Sequence, residues 1–125
     1  MDAVNKMIGF YKKAVLENYY NFNGRATLPE YWWFVLANVI VAFVIGIVDG
    51  ILASVIGIAI LGTIYSLAVL LPSLGVAARR LHDTGKSGWN LLWTLIPLLG
   101  AIYVIYLLVQ KGETGKNAFG EPVKK

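Results

Sequence analysis

The sequence predicts an all-α integral membrane bundle of about three transmembrane helices, preceded by an N-terminal amphipathic helix lying in the interface. From Tyr31 to Ala78 the chain runs 48 residues with one charged side chain, Asp49. A hydrocarbon core ~30 Å thick takes ~20 apolar residues to cross, at ~1.5 Å rise each, so that stretch holds two crossings and a turn. A third apolar run, Trp89 to Val109, follows a short charged loop. Composition agrees: 58% of residues are hydrophobic and 14% charged, with a mean hydropathy of +0.65, against about 45–50% apolar and about 25% charged in soluble domains. The expected organisation is one membrane domain over residues 1–125, with an amphipathic helix at 1–20. Apolar spans follow at 30–48, 55–78 and 89–109, and a polar tail at 110–125.

The net charge is +4, and all eleven Lys and Arg lie outside the three apolar runs. That distribution suits anionic headgroups better than nucleic acid. The absence of cysteine excludes disulfides, thiolate metal sites and cysteine nucleophiles. The N-terminus lacks the apolar core and small-residue cleavage site of a signal peptide and is expected to stay on the protein.

From Asp2 to Tyr20, Val4, Met7, Ile8, Tyr11 and Val15 recur at helical spacing, which predicts an amphipathic helix with Lys12 and Lys13 toward headgroups. Asn23-Gly24 is turn chemistry that re-aims the chain. Thr27-Leu28-Pro29-Glu30 then reads as a capping box, with the Thr27 hydroxyl accepting from the Glu30 amide and the Glu30 carboxylate reaching back. Proline is tolerated in that first turn. Tyr31, Trp32 and Trp33 follow where an aromatic belt belongs.

Within the first span Asn38, Ala42, Gly46 and Asp49 fall near one face, predicting helix packing through small residues and a bonding amide. Asp49 sits near the far interface, where Asp49-Gly50 gives a turn, and the stretch from Asp49 to Gly57 is either that turn or a re-entrant link. In the second span Thr63, Ser66, Ser73 and Ala77 share a face, and Pro72 is expected to kink the helix. The third run repeats the scheme with Asn90, Thr94, Pro97 and Ala101.

The densest polar element is Arg79-Arg80-Leu81-His82-Asp83-Thr84-Gly85-Lys86-Ser87-Gly88-Trp89. Its Gly-Lys-Ser fails as a phosphate loop, because that pattern requires glycine where Arg80 stands and a strand where a lipid-spanning helix precedes it. His82 and Asp83 are adjacent and point apart, with no nucleophile or metal-ligand cluster beside them. The reading is a surface loop whose Arg79, Arg80 and Lys86 meet anionic headgroups while Trp89 anchors the next span. Arg25 and His82 complete that set of lipid or partner contacts. The same arginines have an alternative, pairing with Glu30 or Asp83.

The positive-inside rule favours a cytoplasmic N-terminus. Three spans, however, put Lys111, Lys116, Lys124 and Lys125 outside. Either the tail translocates or one Pro-containing run is re-entrant and every basic segment stays inside.

Four blocks in order, Tyr20 to Ala26, Glu30-Tyr31-Trp32, Arg79 to Trp89 and Gly112 to Gly120, resemble the bacterial domain of unknown function 805 family, the YhaH-like small inner-membrane proteins. The likeness spans nearly the whole chain. It departs at Lys116-Asn117-Ala118, where the family pattern has Glu-Asn-Arg. The resemblance implies a multi-pass protein of the bacterial inner (plasma) membrane, and it brings no established activity, cofactor or catalytic residue.

The functional expectation is a structural or interaction protein, not an enzyme, engaging anionic lipid headgroups, a membrane-protein partner or a second copy of itself, and no nucleic acid. The alternatives are a small transporter or proton-coupled carrier using Asp49 and Asn38, and a holin-like membrane permeabiliser.

Overall fold

The computed structural model describes residues 2–122, and among them the fold is all-helical, with one isolated bridge between Asn117 and Gly120. Lys124 and Lys125, counted in the charge balance above, lie outside the described residues. Helix α1 (Asp2–Lys12) runs into a single π-helical turn, Lys13–Glu17. Its apolar residues divide: Tyr11 stacks on Phe34 at 5.7 Å and Ala14 is buried, while Val4 and Ile8 stay exposed.

Helix α2 (Leu28–Ile56) opens as its sequence implies, with extended backbone at Thr27 and the Thr27 hydroxyl accepting from the Glu30 amide at 3.1 Å. The reciprocal half of the box is absent, because the Glu30 carboxylate is engaged elsewhere. The helix also continues through Asp49-Gly50, where a turn was expected, and stops at Gly57, whose φ of +75° suits glycine. In lipid every unpaired backbone group costs several kcal/mol. An unbroken helix of 29 residues therefore outweighs the local preference of Asp-Gly, and the expected span of 30–48 is corrected to Leu28–Ile56.

Helix α3 (Leu61–Asp83) replaces the expected 55–78. Its first amides have no cap from Ile60. Asp49 supplies one from across the hairpin, accepting from the Leu61 amide at 2.9 Å and the Gly62 amide at 2.7 Å. Asp49 is thus a cap on the neighbouring helix, and the turn lies at residues 57–60. Pro72 sits inside α3 and cannot donate to the Ala68 carbonyl. The Tyr19 hydroxyl bonds that freed oxygen instead.

The run 89–109 is not one helix. It comprises a 3₁₀ segment (Gly88–Leu95), a break at residues 96–98, and the 10-residue helix α4 (Leu99–Leu108). Pro97 stops the first piece. Leu98 then takes φ 63°, ψ −64° while the Leu99 amide bonds the Pro97 carbonyl at 2.7 Å, a strained γ-turn. At ~1.5 Å per residue α4 is ~15 Å long, half a hydrocarbon core.

Burial is concentrated at one end. Ala77, Leu81, Val104, Leu107 and Leu108 form one cluster beneath Tyr31 and Trp32, and Ala14, Ala26, Phe34 and Val76 form another. The far halves of α2 and α3 are bare. None of the most apolar 18-residue window of α2 is buried inside the protein. An apolar face of that extent is stable only against an apolar surrounding.

Candidate functional site

The loop 18–27, the last turns of α3 and the tail after α4 converge on a knot of buried charges. Arg25, Arg79 and Arg80 are 4%, 3% and 0% exposed, and Glu30 and Asp83 are buried with them. Charged side chains are almost never this buried unless paired. Asp83 accepts from Arg25 Nε at 2.9 Å on Oδ1 and from Arg80 Nη1 at 2.7 Å on Oδ2. Glu30 accepts from Arg79 Nη1 at 2.8 Å and from Lys13 Nζ at 3.1 Å.

Four cations against two carboxylates leave excess positive charge, and backbone carbonyls take up further donors of Arg25 and Arg80. Arg25 donates to the carbonyls of Glu113, Gly115 and Gly120 in the tail and to that of Asp83. Arg80 donates to the carbonyls of Ala26, Leu108 and Gln110. Leu108 and Gln110 stand at and beyond the end of α4. The guanidinium therefore satisfies carbonyls the helix leaves open and sits at its negative dipole end. Trp32 Nε1 donates to the same Leu108 oxygen at 3.1 Å. Arg79 Nε and Nη2 are buried and meet no acceptor among the described residues.

The tail is laced to α3 by its own backbone. The Glu113 amide donates to the Asp83 carbonyl at 2.7 Å, and Asn117 Nδ2 to the His82 carbonyl at 2.9 Å. Gly112 permits this approach, because a Cβ there would overlap the Asp83 carboxylate, and Gly75 does the same for the loop 18–27, where a Cβ would lie 2.9 Å from the Asn21 carbonyl oxygen. Helix α3 ends in a Schellman motif. Lys86 donates to the Leu81 carbonyl and Gly85, at φ +79°, to that of His82. The Gly-Lys-Ser run is therefore a helix stop, with Ser87 Oγ accepting from the Trp89 amide to start the 3₁₀ segment.

These placements correct the expected headgroup contacts at Arg25, Arg79, Arg80 and His82, which face inward because the carboxylates and carbonyls that neutralise them are supplied by the protein. Arg79 and Glu30, Arg80 and Asp83 form the pairs weighed as the alternative. Lys13 is half-buried against Glu30, whereas Lys12, Lys86 and Trp89 are exposed.

Of the packing residues, Asn38 Oδ1 accepts from the Tyr65 hydroxyl at 2.6 Å, and that hydroxyl lies 2.6 Å from Tyr11 Oη, linking α1, α2 and α3. Gly46, Asp49, Thr63 and Ser66 line an open groove of about 510 Å³ between α2 and α3, and a Cβ on Gly46 would meet nothing within 4 Å. Close helix approach is therefore absent at Gly46. Ser73 is half-buried on α3. Asn90 and Thr94 bond locally to the carbonyls of Ser87 and Leu91 instead of across helices.

The tail carbonyls were missed entirely as part of the site. Backbone acceptors leave no trace in residue type; the one sequence signal was glycine at residues 112, 115 and 120.

A family model described as protein of unknown function (DUF805) matches residues 19–121. The chain belongs to this family. The matched DUF805 segment contains every member of the knot except Lys13. The inner membrane protein YhaH of Escherichia coli (strain K12) is 46% identical over 112 residues, covering 88% of this chain and 93% of that protein. The inner membrane protein YhaI of the same strain is 40% identical over 112 residues, covering 89% of this chain and 92% of YhaI. No solved structure matches. The four blocks that carry the sequence resemblance to DUF805 are the segments that meet in the knot.

Proposed function

We propose that the protein is a non-catalytic structural or interaction protein of the inner membrane, whose basic cytoplasmic face engages anionic lipid headgroups or a membrane-protein partner. In this reading α2 and α3 cross the bilayer as a hairpin, and residues 88–108 enter from the cytoplasmic side without crossing. Helix α1 lies in the interface with Val4 and Ile8 toward acyl chains. One observation carries the reading. Arg25 bonds the carbonyls of Glu113, Gly115 and Gly120, which supports placing the N-terminal loop and the tail on one side of the membrane. Every basic segment then stays inside, as the positive-inside rule prefers.

The headgroup contacts pass from the buried arginines to the exposed Lys12, Lys86, Lys111 and Lys116, each worth about 1 kcal/mol near an anionic leaflet. Native mass spectrometry of protein extracted from mixed phosphatidylglycerol–phosphatidylcholine vesicles tests this. Changing the four lysines to glutamine is expected to remove most of the retained phosphatidylglycerol, and added salt to do the same. Equal, salt-insensitive retention by the variant sinks the proposal.

A further inference from the structure

Beside the knot lies a cavity of about 600 Å³, within the ~300–1,000 Å³ of small-molecule sites. Leu74 and Ala78 of α3 form one wall, Leu91 and Leu92 of the 3₁₀ segment another. Leu74 and Leu92 are also exposed on the apolar outer surface, so the cavity opens where acyl chains lie.

His82 sits in its lining, 9% exposed, with its ring parallel to Phe119 at 4.1 Å. His82 Nδ1 lies 2.8 Å from the Gly24 carbonyl oxygen. A carbonyl only accepts, so Nδ1 carries a proton, and in the neutral form of the ring Nε2 is the acceptor. Among the described residues Nε2 makes no hydrogen bond. It faces the Gly88 side of the cavity, where a Cβ on that glycine would stand 3.7 Å away. In that form the nitrogen calls for a proton-bearing group on the occupant.

Two further polar groups in the lining can donate. Ser87 Oγ accepts from the Trp89 amide and keeps its own hydrogen to donate. Asn23 is exposed, and its carboxamide makes no bond within the described residues. One acceptor and two donors in an apolar sleeve complement one hydroxyl and two ester carbonyls on paired chains.

We propose that this cavity binds a neutral glycerolipid with a free hydroxyl, a 1,2-diacylglycerol, whose hydroxyl donates to His82 Nε2. A phosphodiester held at that nitrogen would set acceptor against acceptor.

The full chain in detergent is titrated with dibrominated dioleoylglycerol, reading quenching of Trp89, which lines the same cavity. The matching 3-O-methyl ether is titrated in parallel. The alcohol is expected to bind about tenfold more tightly, the worth of one hydrogen bond left unmade. His82→Phe is expected to abolish that difference. Leu92→Phe, placed on the opposite wall and away from the knot, is expected to weaken both ligands at least about tenfold while leaving the melting temperature in place, which guards against misfolding of the histidine variant. The proposal is overturned if wild-type protein binds alcohol and ether equally, if Leu92→Phe binds as wild type, or if decylubiquinol displaces the lipid at lower concentration than diacylglycerol itself.

Discussion

Asp83 accepts from a different arginine on each oxygen, so asparagine at this position removes the counter-charge from both pairs at once. Breaking a buried pair by removing one partner costs about 3–5 kcal/mol, because a charge is left unpaired in low dielectric. Glu30 differs, since it is shared between buried Arg79 and half-exposed Lys13. Arg79→Met leaves it the lysine, and also removes two buried donors that meet no acceptor. Asp83→Asn is therefore expected to lower the melting temperature in detergent well beyond Arg79→Met, and the reverse order would refute the shared-counter-ion account. The charges were visible in the sequence, as was the option of pairing Arg79 and Arg80 with Glu30 or Asp83. Their inward direction was not. It depends on carbonyls at Leu108, Gln110, Glu113 and Gly115, and every residue carries a carbonyl whatever its side chain.

At the scale of elements, the start of α2 was the boundary easiest to read. Thr27 caps α2 by local chemistry that residue type announces, whereas α3 runs to Asp83 and stops at Gly85, beyond the expected end at residue 78. Asp49-Gly50 misled because its turn preference is local, whereas the helix through it is held by backbone bonds that lipid makes obligatory. The third apolar run misled in the other direction: uniform hydropathy hid the break that Pro97 forces.

That break depends on Gly100, where a Cβ would overlap the Trp93 carbonyl. Gly100→Ala must then push α4 off the 3₁₀ segment, at about 1–3 kcal/mol by the measure of overpacked cores. Gly46→Ala is the matched control, having open space around it. Adding helix propensity there is expected to be neutral or stabilising by up to about 1 kcal/mol. Chemical unfolding of both variants in mixed micelles checks the pair. Were Gly46→Ala the more damaging, the small-residue stripe would be a packing seam after all.

For the whole molecule the decisive quantity is where the tail lies. A continuous helix over residues 89–109 would carry it across the bilayer and away from Arg25. The proposed one-sided placement rests instead on the ~15 Å length of α4 at ~1.5 Å per residue and on the bonds that Arg25 donates to the Gly115 and Gly120 carbonyls. The chain has no native cysteine, so single cysteines report position cleanly. Thr114→Cys in the tail is expected to react with an impermeant maleimide only after the inner membrane is opened. Ser54→Cys, near the α2–α3 turn at the other end of the hairpin, is expected to react from the periplasmic side in intact spheroplasts. A C-terminal fusion should accordingly fluoresce as green fluorescent protein and be inactive as alkaline phosphatase. Labelling of both cysteines from the same side would mean that the hairpin does not cross. A periplasmic tail would break the knot, since Arg25 could not reach Gly115 from the far side of a bilayer. The arginine pairs, the carbonyl clamp and the basic face therefore stand or fall with this one topological measurement.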